Sequence, residues 1–311
     1  MPWLARRGDL RYVLYVHDQI TWRPPRSYAD LDGWFYAKDQ ALFTWLLDRQ
    51  ARREPAGDLL ELGSYLGKSA ILVGRHVRPG ETFTVCDLFG SEPSDAANQT
   101  ENNRSYATLT RRAFEGNYLA FHEQLPTVVQ APTDRITEHV AAGSCRFVHI
   151  DASHLWEHVK GDIEAARALL RPDGLVVCDD YRSEHTPGVA AAVWTAVADG
   201  GLRPICITGN KFYGTWGDPG PVQDELVEWL RSYGPNVPQH QDILGHRIVR
   251  VCRWTKPPVP TLTPLHPPAD DESAAPAHPV DPRRRLARRI VVDLLPPVVT
   301  RGIRRLRNRG R

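Results

Sequence analysis

The sequence predicts an α/β fold, a three-layer sandwich whose central sheet is mainly parallel and has seven strands. Between residues 58 and 216, short apolar runs alternate with longer segments whose apolar residues recur at helical spacing. Strands that alternate with helices form right-handed βαβ units, and these build a parallel sheet covered on both faces. The predicted strands are Asp58–Leu62, Thr82–Cys86, Thr127–Gln130, Cys145–Ile150, Leu175–Cys178, Arg203–Ile207 and Phe212–Trp216.

Composition divides the 311-residue chain into four regions. Residues 1–55 form a lead-in with a predicted helix at Ala37–Arg53, and residues 56–254 form the main folded domain. Residues 255–282 contain nine prolines, which predict a disordered linker, and residues 283–311 form a basic amphipathic tail. The main domain ends with a further predicted helix and strand, Val222–Tyr233 and His246–Trp254.

The charge of the chain is unevenly distributed. The net charge is +2, but the tail holds eleven arginines and one acid, so it carries about +10 and the rest about −8. A basic amphipathic tail predicts peripheral contact with an anionic membrane; partner docking and a solvated tail are the alternatives. Nucleic acid is disfavoured because the tail has no aromatic residue for base stacking.

The start of the chain lacks the apolar core of a signal peptide, and no apolar run is long enough to span a bilayer. We therefore expect a cytoplasmic protein whose tail contacts the inner face of the membrane.

A glycine-containing turn follows the first predicted strand, in the segment Asp58–Ser69. Gly63 and Gly67 allow the backbone to approach a ligand closely, and the following helix start offers free amides. A P-loop needs four residues between its first glycine and Gly-Lys-Ser, and this chain has three. The dinucleotide fingerprint needs a second glycine where Tyr65 stands. Both nucleotide motifs are therefore excluded by spacing.

Two acids follow the second and third predicted strands. Asp87 ends the second strand, where an acid can accept hydrogen bonds from ribose hydroxyls; the alternative is that it caps the next segment. Asp134 follows the third strand and is a candidate for contact with an adenine ring, with a surface turn as the alternative.

Carboxylates also follow two later strands. Asp151 and His154 come after Cys145–Ile150, and Asp179 and Asp180 come after Leu175–Cys178. Ligands bind outside the carboxyl ends of parallel strands, so these acids are expected to gather at one edge of the sheet. Oxygen ligands of this kind suit Mg²⁺, and His154 is the candidate general base. The alternatives are a helix cap, a polar strand end and a structural histidine.

Taken together, these motifs resemble a known family. The segments Glu61–Ser69, His149–His154 and Leu170–Tyr181, with Asp162, are similar to the class I S-adenosylmethionine-dependent methyltransferases of the type 24 group, which have a Rossmann-like fold. Relatives of this type methylate macrolide sugars and aminocoumarins. The resemblance covers about residues 35–217.

The resemblance implies a role for each motif. Mg²⁺ would be held by Asp151, Asp179 and Asp180, with His154 as the base. Some relatives have Asp-Gly-Asp where this chain has Asp151-Ala-Ser153, so a base at that last position is absent and His154 gains importance. The cofactor S-adenosylmethionine would contact Glu61, Gly63, Tyr65, Gly67, Ser69, Asp87 and Asp134.

The function implied is metal-assisted O-methylation of a hydroxyl on a small-molecule or glycan acceptor, such as a sugar or a natural product. One alternative is a methyltransferase that is metal-independent or acts on nitrogen. Another is a non-catalytic cofactor-binding scaffold that its tail recruits to a membrane.

Overall fold

A computed structural model describes residues 23–91 and 110–266. These residues lie in one compact unit, Met1–Pro267. The predicted basic tail, most of the predicted linker and the first part of the lead-in lie outside the described residues. Among the described helices, none combines the length and the apolar character that crossing a membrane requires.

The described chain forms a single nine-stranded sheet. Its spatial order is β3-β2-β1-β4-β5-β7-β6-β9-β8, and β7 is antiparallel to both of its neighbours. The first five strands in that order pair in parallel, so the prediction of a mainly parallel sheet is confirmed. The strands are β1 Asp58–Leu62, β2 Phe83–Cys86, β3 Thr127–Val129, β4 Cys145–Ile150, β5 Leu170–Cys178, β6 Arg203–Ile207, β7 Phe212–Thr215, β8 Pro238–Ile243 and β9 His246–Val251.

The sheet has two strands more than the seven predicted. One of them, β9, corresponds to the separately predicted strand at His246–Trp254. The other, β8, has a polar sequence and exposed side chains, so hydrophobic alternation gives no signal for it. It pairs with β9 through backbone hydrogen bonds across a tight turn in which Leu244 and Gly245 both have positive φ.

Helices cover both faces of the sheet, which confirms the three-layer prediction. Along β1, Leu59 packs with α1, α2, α3 and α6 on one face, whereas Leu60 packs with α4 and α5 on the other. This division follows from the alternation of side chains along a strand. The helices are α1 Ala37–Arg53, α2 Lys68–Gly74, α3 Arg111–Leu119, α4 Trp156–Leu169, α5 Pro187–Ala198 and α6 Gly220–Arg231.

Residues 255–266 are the described part of the predicted linker. They have no regular secondary structure, as nine prolines would suggest, but they lie against the domain rather than apart from it. The Leu262 side chain is buried in the core cluster of α1 and α2, and the Leu265 amide donates to the Ala120 carbonyl at 2.7 Å. Apolar residues between the prolines therefore dock this part of the segment.

A buried ion pair joins β4 to the segment before β2. The Arg146 guanidinium is fully buried and donates from Nε and Nη2 to the two carboxylate oxygens of Glu81, both at 2.9 Å. Burial opposes the charge of Glu81, but the hydrogen bonds from Arg146 and Arg78 outweigh it and lower the pKa of Glu81 to about 2. Breaking a buried bidentate pair of this kind lowers the free energy of unfolding far more than breaking an exposed pair.

We predict that Glu81→Gln lowers the free energy of unfolding at pH 7 by about 3 kcal/mol, because it leaves the buried Arg146 charge without its partner. The folded-state pKa of Glu81 is lowered, so its stabilising effect is present above about pH 4.3, the ordinary value for glutamate, and is lost as the pH falls through about 2. Denaturant unfolding from pH 7 to pH 2 measures both effects.

Glu138→Gln is the matched control, since Glu138 pairs with Arg135 at an exposed site. Equal losses of unfolding free energy in the two variants would show that the buried pair stabilises the fold no more than the exposed pair does.

Candidate active site

The chain reverses its direction of travel through the sheet between β1 and β4. From β1 it proceeds outward to β2 and β3, then returns to β4 on the other side of β1. In an open sheet of this kind the crevice at the carboxyl ends of the strands, next to this switch point, is the usual ligand site. The first residues beyond β1, β2, β4 and β5 are Gly63, Asp87, Asp151 and Asp179.

The turn after β1 requires glycine at its first position. Gly63 has a φ of +78°, and a Cβ atom there would lie 2.1 Å from the Asp151 carbonyl oxygen. The turn and the end of β4 are therefore in close backbone contact. Gly67, with a φ of +89°, begins α2 and packs against Phe114. The ring of Tyr65 packs against the exposed Trp34 of the lead-in, with the ring centroids 5.6 Å apart.

Asp87 anchors this turn from the end of β2. Its Oδ2 accepts from the backbone amides of Ser64 at 2.7 Å and Tyr65 at 3.1 Å, while its Oδ1 accepts from the Phe89 amide at 2.7 Å. Burial raises the pKa of Asp87, although these hydrogen bonds lower it. The Oδ1 atom has two lone pairs and so retains capacity to accept from a further donor such as a hydroxyl.

A row of buried polar groups leads from β1 across the sheet. The Nδ1 atom of His149, in β4, lies 2.7 Å from Glu61 Oε1, and its Nε2 atom lies 3.0 Å from the Lys211 ammonium nitrogen. An ammonium group can only donate, so Nε2 is the acceptor and Nδ1 donates to Glu61. Burial and the charge of Lys211 lower the pKa of His149 well below its ordinary value, which keeps the ring neutral.

Glu61 has its own unmet hydrogen-bonding capacity. Burial raises its pKa to about 8, against the opposing effects of Ser69 and Lys211. Its Oε2 atom is buried and has no hydrogen-bond partner among the described residues. A buried carboxyl oxygen left in this state at a ligand crevice fits a bound polar group.

Lys211 was not predicted from the sequence. It precedes β7, which runs antiparallel to β5, so its turn lies at the same edge as the end of β5. Its side chain is 1% exposed, and Nζ contacts Asp179 Oδ2 at 2.5 Å. Burial opposes its charge, but the carboxylates of Asp179, Asp151 and Asp39 together outweigh burial and raise the pKa of Lys211 above its ordinary value. Lysines are seldom buried, so sequence pattern gives little reason to place one here.

The three predicted metal ligands do not form one set. Asp151 and Asp179 lie together with His149, with candidate ligand atoms within 4.8 Å of one another. Asp180 is separate from them, with a φ of +53°, and its Oδ1 accepts from the Ser183 hydroxyl at 2.9 Å. The joint role of Asp151, Asp179 and Asp180 as metal ligands stays a prediction.

Asp180 instead faces the predicted base. Its Oδ2 atom lies 3.6 Å from His154 Nε2, and the two side chains are 23% and 15% exposed. The Thr186 hydroxyl donates to the Asp180 carbonyl at 2.6 Å and helps fix this conformation. The ring of His185 lies beside that of His154, with the centroids 6.2 Å apart. An accessible imidazole next to a carboxylate can accept a proton from a ligand.

The donor set does not fit a divalent metal as it stands. Lys211 already binds Asp179 Oδ2 and His149 Nε2, two of the three grouped ligands. Burial and the neighbouring Asp179 raise the pKa of Asp151 well above its ordinary value, and the two carboxyl groups hydrogen-bond to each other. Lys211 thus already supplies a positive charge to these carboxylates, and a metal ion would have to compete with it.

Two further residues, Ser69 and Asp134, are predicted to contact the cofactor. Ser69 is buried in α2, near Glu61. Asp134 is exposed in a short 3-10 helix, Thr133–Glu138, that follows β3. Contact of these two residues with a cofactor stays a prediction.

The strand order, the glycine turn and the acid after β2 are those of a Rossmann-like fold of the methyltransferase type. Within the chain, residues 60–181 match a family model, type 24, that is described as a methyltransferase domain. The match spans β1 to the end of β5 and so includes both the turn and the carboxylates.

Solved structures with a similar fold are distant from this chain. NovP, an O-methyltransferase, is 19% identical with a TM-score of 0.48, covering 58% of this chain and 80% of its own. CalS11, a TDP-rhamnose 3'-O-methyltransferase of calicheamicin biosynthesis, is 18% identical with a TM-score of 0.40, covering 59% and 82%. TomG of Streptomyces achromogenes, solved with S-adenosylmethionine, is 17% identical with a TM-score of 0.36, covering 59% and 81%. A search of curated proteins gives no significant match.

We predict that Gly63→Ala is much more harmful than Gly80→Ala. Both positions have positive φ, but a Cβ at Gly80 meets no described atom within 4 Å. The first variant is expected to lose about 2–4 kcal/mol of unfolding free energy through strain and collision with β4, and the second about 1 kcal/mol through strain alone. Urea unfolding measures the difference, and similar losses in both would contradict the close contact between the turn and β4.

Proposed function

We propose that this chain transfers the methyl group of S-adenosylmethionine to a hydroxyl of a sugar, a glycan or another natural product, with His154 as the general base. The cofactor supplies a methyl group that its sulfonium makes electrophilic. The single observation that carries the acceptor side is the accessible His154–Asp180 pair at the carboxyl edge of the sheet.

The donor side rests on the turn after β1 and on two acids. Asp87 Oδ1 has capacity for a ribose hydroxyl, and Glu61 Oε2 is a buried polar atom without a described partner. Gly63 and Gly67 keep the turn close to β4 and α3. Contacts with Tyr65, Ser69 and Asp134 complete the proposed cofactor set.

Oxygen is the favoured acceptor because a hydroxyl must lose its proton as it attacks. A positioned base speeds such a step by about 10²–10⁴-fold. An amine gains less, since its lone pair is already available once it is unprotonated. His154 is suited to this role because it lies at the edge of the site beside a carboxylate, whereas the ring of His149 is buried and both of its nitrogens have partners.

The proposal uses no divalent metal. Asp151 and Asp179 are already held by each other and by Lys211, and Asp180 faces His154. This favours the metal-independent alternative over the magnesium-assisted one, and no step is assigned to a metal.

We predict that His154→Gln lowers kcat by about 10²–10⁴-fold and leaves the affinity for S-adenosylhomocysteine unchanged. Asp180→Asn is expected to lower kcat less, since it removes the neighbour of the base and not the base itself. Labelled methyl transfer to a panel of sugars, nucleotide sugars and polyketide glycosides measures kcat, and calorimetry measures cofactor affinity.

His240→Gln, an exposed substitution on β8, is the matched control and is expected to behave as wild type. Full activity of His154→Gln would remove it as the base. Tight cofactor binding without transfer to any acceptor would instead favour the scaffold alternative.

A further inference from the structure

We propose that Lys211 is the resident cation of the acceptor side of this site, and that its ammonium group takes the position between Asp179 and His149 that a divalent ion would need. The inference deepens the proposed function and rests on it for the identity of the reaction. It makes Lys211 a positioning residue that acts through Asp179 and His149.

The Lys211 ammonium already lies between two of the candidate metal ligands. Nζ lies 2.5 Å from Asp179 Oδ2 and 3.0 Å from His149 Nε2. A metal bound by these two atoms would need the single lone pair of Nε2 that the ammonium uses, and would occupy the space of the ammonium beside Oδ2. Two cations in one buried pocket would also repel each other strongly, because the interior screens charge poorly.

Several contacts hold the Lys211 side chain and backbone in this position. Its ammonium lies 5.5 Å from the centroid of Phe35 and 5.9 Å from that of Phe43, distances at which the faces of aromatic rings attract a cation. Its backbone amide donates to the Thr208 hydroxyl oxygen at 2.9 Å. That hydroxyl in turn donates to Asp39 on α1 at 2.8 Å. The lead-in helix therefore holds the turn that carries the lysine.

Both oxygens of the Asp179 carboxylate have donors within the chain. Oδ1 accepts from the Asp180 amide at 2.8 Å, and Oδ2 contacts the Lys211 ammonium. Asp151 hydrogen-bonds to Asp179. Replacing the ammonium by a neutral group would leave the charge of Asp179 uncompensated. It would also leave the Nε2 lone pair of His149 available to a metal ion.

Mn²⁺ binding, followed by electron paramagnetic resonance, tests this inference without any need for turnover. Wild type is expected to show no Mn²⁺ site at micromolar concentrations. Lys211→Met is expected to gain at least a tenfold increase in Mn²⁺ affinity, and Lys211→Met/Asp179→Asn is expected to lose that gain. Lys256→Met, an exposed substitution, is the control and is expected to match wild type.

An Mn²⁺ site in wild type that disappears in Asp179→Asn would overturn the inference, and this arm decides the matter even when Lys211→Met does not fold. A folded Lys211→Met protein, checked by circular dichroism, that gains no Mn²⁺ site would also overturn it. Failure of the proposed function looks different, because loss of His154 as the base changes kcat and leaves the Mn²⁺ results as they are.

Discussion

The interaction between the Lys211 ammonium and the Asp179 carboxylate organises the candidate site. Parallel strands bring their carboxyl ends to one edge, and in this chain an acid directly follows three of them, β2, β4 and β5. Acids gathered in this way repel one another unless a positive charge or a proton intervenes. Lys211 supplies a positive charge, and burial together with Asp179 raises the pKa of Asp151. Because this repulsion is reduced, the side chains at the carboxyl edge of the sheet can pack closely.

That pair depends in turn on parts of the chain far away in sequence. Asp39, on α1, accepts hydrogen bonds from Thr208 at 2.8 Å and Tyr213 at 2.7 Å, on either side of Lys211. From the ammonium, hydrogen bonds continue through His149 to Glu61 at the end of β1. The lead-in helix, the turn before β7 and the end of β1 are thus joined by one buried row of polar groups. We expect a change at one member to affect the others, because a buried polar group that loses its partner is costly.

Periodicity and strand order were sufficient to predict much of this arrangement. The bounds of α1 agree with the predicted helix, and the acids after β2, β4 and β5 follow strands that were predicted at those places. What sequence pattern could not supply was conformation at single residues. Asp180 has a positive φ and its carboxylate faces Ser183 and His154, and nothing in an Asp-Asp pair signals this. Lys211 was missed for a related reason, since only the antiparallel pairing of β7 with β5 brings it to the acids.

Burial also explains why two histidines of one segment have different parts in the proposed reaction. His149 lies within β4, where each ring nitrogen is committed to a buried neighbour and protonation would place a second positive charge beside Lys211. His154 lies beyond the end of the same strand, where its side chain is 15% exposed and faces a carboxylate that would stabilise its protonated form. A proton taken from an acceptor hydroxyl can therefore reach solvent through His154, whereas His149 has no state in which it could hold that proton at low cost. In the proposed reaction, the buried half of the sheet edge maintains geometry, whereas the more exposed half takes up the proton.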